Sequence, residues 1–416
     1  MFNRRQFAGA LTAVCVPTLT SGAAQSRKKI ALLATEVYEH SHAQHFLDRL
    51  SIGYAMGGRW REPQAELAAV YIDQVHARDI SKQRIAKYGL RQYSEIAEAL
   101  TLGGSTLAVD GVVIIGEHGK YPRNEKGQTL YPRYKWFKEV VRVFEDSGRS
   151  VPVFNDKHLS TSWSQCREMV ADAKRLHFPF YAGSSLPVTW RLPSIEMPYD
   201  TPLAESVCVA YGGIDSYDFH ALETAQCMSE RRQGGEVGIK SVHAATGQHL
   251  WNMLEKRDVT RTLFVSAICR SHSLPVQTGY PTARVDFDWA RRSLPEITGY
   301  FVEHLDGFKT AVFLTGIRDF NYAGMRADNG QIIGCQMMLP MPNRNATTAD
   351  FFNPLTSHVE QMIVAGKTGY PIERTLLTSG MVIGGVDSLF AGERRIDTPD
   401  MNITYRAAKN SAYWQT

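Results

Sequence analysis

The sequence predicts an α/β protein in which a parallel-sheet domain is followed by an α+β domain with a mostly antiparallel sheet. Between residues 110 and 190, short apolar runs alternate with amphipathic segments at helical spacing, a pattern typical of parallel strands joined by right-handed crossovers. After Pro193 this regular alternation is lost. A chain of 416 residues, 44% of them hydrophobic, is also long enough for two domains.

The elements of the first domain follow from its apolar runs. Runs typical of strands buried on both faces occur at residues 29–35, 67–73, 110–116, 151–156 and 178–183. Trp136, Val140 and Phe144 recur at helical spacing between two of these strands, and Gly148 is expected to end that helix. The glycine-rich residues 53–63 are predicted to form a loop.

The second part of the chain has weaker patterns. Strands are predicted at residues 207–213, 238–243, 310–315 and 331–338. Helices are predicted at residues 219–231, 250–255, 288–293 and 355–365. This mixture indicates an α+β domain.

Polar side chains follow three strands of the predicted parallel sheet, at the point where each strand ends. They are Glu117 and His118 after the first strand, Asn155, Asp156, Lys157 and His158 at the second, and Ser184 and Ser185 at the third. In open α/β sheets ligands bind outside the carboxyl ends of the strands. These residues therefore predict a crevice rich in ionisable groups, which would bind a small-molecule substrate.

The turn after the first strand lacks the glycines of a dinucleotide-binding loop. Such a loop reads Gly-x-Gly-x-x-Gly, because only glycine lets the backbone approach a pyrophosphate. Here Thr35 ends the strand and no glycine follows through His45. Ser41 is predicted to cap a helix that begins at His42, whose N-terminus could hold an anion, and Asp73 ends the next strand where a ribose-binding carboxylate would lie. NAD or NADP therefore stays open as a cofactor but is disfavoured.

The same turn contains three histidines, which raises the question of a divalent metal. His40, His42 and His45 match no well-defined zinc spacing, so an ion would need help from Glu117, His118 or His158. The sequence alone assigns no metal ligand set.

Residues 1–25 have the composition of a signal peptide. Arg4 and Arg5 precede Phe7 and an apolar, small-residue run, as in twin-arginine signals. The mature protein is therefore expected to be periplasmic or secreted. No later run reaches the roughly 18 apolar residues of a membrane span, and the net charge of +4 is dispersed, so neither a membrane span nor nucleic-acid binding is expected.

Four segments resemble the glucose-fructose oxidoreductase and inositol dehydrogenase superfamily, Gfo/Idh/MocA. Residues 93–100 and 109–115 are similar to a helix and strand of that family, and residues 155–159 lie where it carries Glu-Lys-Pro. Residues 212–222 resemble its Gly-Gly segment with a catalytic histidine, and residues 359–366 and 388–392 with Pro399 resemble its closing elements. The resemblance implies a Rossmann-like domain at residues 26–191 and an α+β sheet domain at residues 192–416.

The resemblance also implies roles for individual residues. Lys157 matches the central lysine of Glu-Lys-Pro, and His220, with Asp218 just before it, matches the catalytic histidine, while His158 replaces the family's proline. The implied activity is an exported oxidoreductase that acts on a sugar or sugar acid between the two domains. There Lys157 would polarise a carbonyl oxygen and His220 would move a proton.

Two other functions stay open. One is a cofactor-free or metal-dependent lyase, isomerase or hydrolase that uses Glu117, His118, Lys157 and His158, because proton abstraction beside a carbonyl needs only a base and an oxyanion stabiliser. The other is a non-catalytic carbohydrate-binding protein. The oligomeric state also stays open, a homo-oligomer included.

Overall fold

The computed structural model describes residues 27–275, 283–340 and 348–415, so the predicted signal peptide lies outside the described residues. The first half contains, in order, β1 (Lys29–Ala34), α1 (His42–Ile52), β2 (Tyr54–Met56), β3 (Arg59–Arg61), β4 (Glu66–Ile72), α2 (Ser81–Tyr88), β5 (Gln92–Tyr93), α3 (Ile96–Thr101), β6 (Gly111–Ile115), α4 (Arg133–Ser147), β7 (Val153–Asp156), α5 (Trp163–Arg175) and β8 (Phe180–Gly183).

The second half is longer and more irregular. It contains β9 (Arg191–Leu192), β10 (Leu203–Tyr211), α6 (Asp218–Ser229), β11 (Ile239–Thr246), α7 (Gly247–Glu255), α8 (Asp258–Ile268), α9 (Phe287–Ser293), β12 (Thr298–His304), β13 (Lys309–Thr315), β14 (Phe320–Arg326), β15 (Ile332–Met337), α10 (Phe352–Ala365), α11 (Ile372–Phe390) and β16 (Ile396–Asp397). In the described part of the chain, no helix is both long and apolar enough to span a membrane.

The first sheet confirms the predicted parallel architecture. Its six strands lie in the order β5-β4-β1-β6-β7-β8, and every neighbouring pair is parallel. All five residues of β6 are buried, as expected for a strand covered on both faces. The carboxyl ends of β1, β6, β7 and β8 therefore meet at one edge.

The second sheet confirms the predicted α+β arrangement. Its eight strands lie in the order β16-β11-β12-β13-β10-β14-β15-β9. The pair β10 and β13 is parallel and the other pairs are antiparallel. One face packs against α6 and α11, where Phe219 and Met381 are buried, and the other packs against α7 and α8, where Trp251 and Phe264 are buried.

One helix from the far end of the chain completes the core of the first sheet. Leu355 and Val359 of α10 pack in one apolar cluster with Ile30 and Leu32 of β1 and with Phe46 of α1. The opposite face of the sheet is covered by α3, α4 and α5. Apart from β9 at their boundary, the predicted ranges 26–191 and 192–416 each contain the strands of one main sheet, but α10, which lies in the second range, packs on the first sheet.

The prediction of a loop at residues 53–63 was wrong, because β2 and β3 form an antiparallel hairpin there. Gly57 and Gly58 both adopt left-handed backbone angles, with φ of 63° and 72°, which a two-residue hairpin turn requires. Tyr54 and Met56 are buried while Ala55 between them is exposed, so the strand alternation is present but only three residues long.

Candidate functional site

The crevice lies between the carboxyl edge of the parallel sheet and the start of α6. It encloses about 190 Å³ and is lined by polar residues from the first sheet, by the turn into α6, and by the apolar side chains Leu339, Phe351 and Phe352. A larger cavity of about 720 Å³ lies beside β12, but Glu296 is the one ionisable side chain among its described lining residues. The chemistry therefore points to the smaller crevice.

Lys157 and His220, from the two sheets, meet in this crevice. Lys157 follows β7 directly, and its backbone N–H donates to the carbonyl of Gly183 at the end of β8, 3.0 Å away. His220 lies in the first turn of α6. The Nζ of Lys157 is 2.6 Å from Nε2 of His220, and each residue is 5% exposed. The structure thus brings together the two residues that the resemblance assigned to catalysis.

A chain of hydrogen bonds continues from His220 into the interior. Nδ1 of His220 is 2.9 Å from Oγ of Ser184, and that hydroxyl in turn donates to Oε2 of Glu223. Because the lysine ammonium can only donate, Nε2 of His220 must accept and Nδ1 must carry the proton. The result is a directional path from Lys157 through His220 and Ser184 to Glu223.

The electrostatics of this path suit proton transfer. Burial and the nearby Lys157 charge hold the pKa of His220 well below its usual value, so the imidazole is neutral at pH 7. Burial raises the pKa of the Glu223 carboxyl to about 7. A carboxyl group with this pKa can take up or release a proton near neutral pH.

Glu117 anchors the ammonium of Lys157 from the other side. Its Oε1 lies 3.1 Å from Nζ of Lys157, and its backbone carbonyl accepts a hydrogen bond from the Thr35 hydroxyl. Burial disfavours the charged form, but the charges of Lys157 and His42 outweigh it, so the pKa of Glu117 lies well below its usual value. The carboxylate is therefore ionised at neutral pH.

His42 and Asp156 form a second polar pair beside Glu117. Ser41 accepts a hydrogen bond from the Gln44 N–H and so caps α1, as predicted, which directs the first residue of the helix at the sheet edge. Nδ1 of His42 lies 2.7 Å from Oδ2 of Asp156 and 3.6 Å from Oε2 of Glu117. His118 also lines the crevice, and burial lowers its pKa to about 4, so it is neutral.

Three residues around the crevice have a strained backbone. His40, His118 and Lys157 have φ of 68°, 71° and 69°, in the left-handed region that side chains with a β-carbon rarely adopt. Each such residue costs of order 1–3 kcal/mol and is retained only where the surroundings enforce it. Strain of this kind is concentrated at ligand-binding and catalytic sites.

Other predicted site residues lie behind the crevice or beside it. Ser185 lines it. The Asn155 amide donates to the carbonyls of Asp156 and His158, so it shapes the turn that presents Lys157. His158 is buried against Arg133, with 3.0 Å between Nη1 and Nε2.

Asp218 also points away from the crevice. Its carboxylate accepts hydrogen bonds from the backbone N–H groups of Asp215, Ser216 and Phe219. It accepts one more from the hydroxyl of Tyr300, at 3.0 Å. This geometry favours a structural role over direct catalysis.

The residues at the expected dinucleotide position have other partners. Asp73 accepts hydrogen bonds from the hydroxyls of Tyr71 and Tyr121, at 2.8 and 2.6 Å. In the turn after β1, the ring of Tyr38 stacks on His76 with 4.1 Å between centroids. The turn after β1 thus carries Tyr38 where a dinucleotide-binding loop has glycines, and Asp73 is hydrogen-bonded to two tyrosines.

Sequence reasoning did not single out several residues of the site. Glu223 lies one helical turn after His220, so the i, i+3 spacing was a usable signal for it. Ser216 and Tyr217 line the crevice from the turn before α6. Phe352 enters from α10, and no local pattern could have placed it there.

The structure combines a Rossmann-like parallel sheet with a mostly antiparallel second sheet, and Lys157 from the first part of the chain meets His220 from the second. No family model matches the chain, and no curated protein matches it either. Solved structures do: the fold is that of the Gfo/Idh/MocA dehydrogenases, as the resemblance implied.

Three similar structures illustrate this likeness. GenD2 from gentamicin A biosynthesis, in complex with NAD, has a TM-score of 0.56 and 12% identity over 91% of this chain and 98% of its own. A probable dehydrogenase from Thermotoga maritima has a TM-score of 0.53 and 10% identity over 89% and 98%. Myo-inositol dehydrogenase from Lactobacillus casei, in complex with NAD(H) and myo-inositol, has a TM-score of 0.53 and 9% identity over 89% and 97%. At these identities the likeness concerns the fold.

Proposed function

We propose that the chain is an enzyme that acts on a sugar or sugar acid in the crevice, with proton transfer by Lys157 and His220 as its central step. The observation that supports this most is the 2.6 Å separation of Lys157 Nζ and His220 Nε2, at a point where residues from both sheets converge. The polar lining of the crevice suits a hydroxylated substrate.

The hydrogen-bond path explains how a lysine could act as a base near neutral pH. When Glu223 is ionised, a proton moves from Nζ of Lys157 to Nε2 of His220 as the Nδ1 proton passes to Ser184 and the Ser184 proton passes to the Glu223 carboxylate. Lys157 is then a neutral amine that can remove a proton from a substrate hydroxyl. In the reverse direction the ammonium donates to a substrate oxygen as negative charge develops on it.

Removal of a hydroxyl proton belongs both to alcohol oxidation and to non-redox reactions such as isomerisation and elimination. Hydride transfer also needs an acceptor. The absence of glycine from Thr35 to His45 and the hydrogen bond of Asp73 to Tyr121 argue against a dinucleotide in the family's usual position. We therefore favour a non-redox reaction. The fold shared with NAD-bound GenD2 keeps sugar oxidation as the second candidate.

Substrate screening with matched variants tests this proposal. Purified protein is incubated with sugars, sugar acids and inositols, and turnover is followed by NMR and, with added NAD or NADP, by absorbance. We expect Lys157→Met and His220→Ala each to lower turnover by about 10² or more, the size expected for loss of a positioned acid–base group or charge.

Lys120→Met is the matched control, because Lys120 is an exposed lysine after the same sheet edge and its hydrogen bonds use only its backbone. It should keep wild-type turnover. Unchanged turnover in both Lys157→Met and His220→Ala, with native circular dichroism, would contradict the proposed step.

A further inference from the structure

We propose that His42, Glu117 and Asp156 bind a divalent metal ion in the crevice. One ligand atom from each residue can be chosen so that all three lie within 4.8 Å of one another. Nδ1 of His42 is 2.7 Å from Asp156 Oδ2 and 3.6 Å from Glu117 Oε2. Ligand atoms bound to one ion at about 2.1 Å lie about as far from one another as these side-chain atoms do. Metal binding itself does not depend on the proposed function, and only the role of the ion in the reaction rests on it.

Two buried carboxylate oxygens independently indicate a missing positive partner. Asp156 is 1% exposed, and its Oδ1 has no hydrogen-bond partner among the described residues. Oε2 of Glu117 is also buried without a hydrogen bond there, with Nδ1 of His42 3.6 Å away, while Oε1 of the same carboxylate is close to Lys157. Burial of charged oxygens without hydrogen bonds is costly, and a cation bound by these two carboxylates would offset that cost.

The structure selects these three residues over the histidine cluster that the sequence first suggested. His45 is buried beside Arg49, with 3.4 Å between its Nδ1 and Nη1 of Arg49, so this ring nitrogen faces a guanidinium group. His45 and His40 both line the crevice, but they are not part of the group of converging ligand atoms. The ligands come instead from the starts of α1 and the β6–α4 connection and from the end of β7, three segments that meet only in the folded protein.

The ligand set indicates the kind of metal. One imidazole and two carboxylates suit Mn²⁺, Fe²⁺ or Zn²⁺ better than Ca²⁺, which prefers oxygen ligands alone. Three protein ligands leave coordination positions open for a substrate. An ion beside Lys157 would bind two adjacent oxygens of the substrate, so the inferred substrate class is a 1,2-diol or an α-hydroxy acid, which includes sugars and sugar acids.

Metal titration tests the site without any substrate. Protein freed of metal with a chelator is titrated with Mn²⁺ in a calorimeter and, separately, with Zn²⁺. We expect one ion per chain, bound in the micromolar range or tighter. Asp156→Asn and Glu117→Gln should each weaken binding by about tenfold or more, since ligand loss should cost at least as much as loss of an outer-shell partner.

Asp73→Asn is the matched control, because Asp73 is a carboxylate at the same sheet edge that is bound by two tyrosine hydroxyls. It should bind Mn²⁺ like the wild-type protein. Pulsed EPR of the Mn²⁺-bound wild-type protein should show coupling to an imidazole nitrogen, and His42→Gln should remove it. This signal in the wild type decides the question even where a variant does not fold.

Absence of binding at millimolar Mn²⁺ and Zn²⁺ would overturn the metal site, as would equal affinity in the wild type, Asp156→Asn and Glu117→Gln. These outcomes leave the Lys157 and His220 step untouched, since that step is measured by turnover. Loss of turnover in Lys157→Met together with an absent metal would reject the metal site alone. Metal binding without any effect of Lys157→Met on turnover would reject the proton path alone.

Discussion

Glu223 shows how a single buried group links the site to protein stability. Its carboxyl group has a pKa of about 7 in the fold, compared with an ordinary value of 4.5. As the pH rises from 4.5 to 7, the unfolded chain therefore loses this proton while the folded protein keeps it. Stability must fall over that range, because the folded state binds more protons than the unfolded state.

We predict that Glu223→Gln removes this pH dependence. The wild-type free energy of unfolding should fall relative to that of the variant between pH 4.5 and 7, by up to about 3 kcal/mol for a shift of this size. Urea titrations at pH 4.5 and pH 8 measure it. The same pH profile in both proteins would show that Glu223 is not protonated in the fold.

Some residues of the site could be predicted from the sequence, but the state of their individual atoms could not. Lys157, Glu117 and Ser184 were found because strand ends of a parallel sheet converge, a rule that needs no tertiary knowledge. Unsatisfied oxygens such as Oδ1 of Asp156 could not be found, since whether an oxygen is paired depends on side-chain positions from three segments.

The turn into α6 is the element that holds His220 in place. Asp218 accepts three backbone N–H bonds and the Tyr300 hydroxyl, all while fully buried. Burial raises its pKa to about 6. These bonds fix the residues before α6 and so set the direction of the helix start.

We predict that Asp218→Asn destabilises the protein by about 1–3 kcal/mol, because one oxygen acceptor is replaced by an amide that faces the Asp215 N–H and the Tyr300 hydroxyl. Thermal unfolding measures this loss. Turnover per folded molecule should fall less than in His220→Ala. An equal fall in turnover, with stability unchanged, would instead support the catalytic role that the resemblance implied.

Strands were predicted correctly where burial on both faces gives a continuous apolar run in the sequence. Strands β1, β6, β7 and β8 were predicted within about two residues because their apolar runs are continuous. Strands β12 and β14 were not identified. β14 runs Phe320–Arg326 and carries Asn321 and Gly324, and its pairing with β10 and β15 is set by long-range contacts rather than by a local alternation.

At the scale of the molecule, the side chains that stand in place of the glycine loop affect cofactor binding. We predict that NAD and NADP bind weakly, with no detectable binding at micromolar concentrations. The reason is that Tyr38 stacks on His76 and the Asp73 carboxylate accepts a hydrogen bond from Tyr121, where the family has a glycine loop and a free carboxylate. Calorimetry of the purified protein tests this, with GenD2 as the positive control. Micromolar binding of either nucleotide would restore the redox reaction as the first candidate.

The proposed location outside the cytoplasm concerns residues 1–25. We predict that Arg4→Lys together with Arg5→Lys abolishes export, because twin-arginine signals require the arginine pair. The measurement is the amount of protein in the periplasm or medium. Arg27→Lys, a basic change after the predicted signal, is the control. Export that persists in the double variant would rule out this route.

Because α10 packs on the first sheet, the core of that sheet depends on residues that are synthesised near the end of the chain. A ribosome releases β1 to β8 long before it adds Leu355 and Val359, which cover one face of that sheet. Until then Ile30, Leu32 and Phe46 have no complete apolar cover. A nascent chain that ends near residue 191 therefore cannot complete its first core, and that core closes only after α10 has been synthesised.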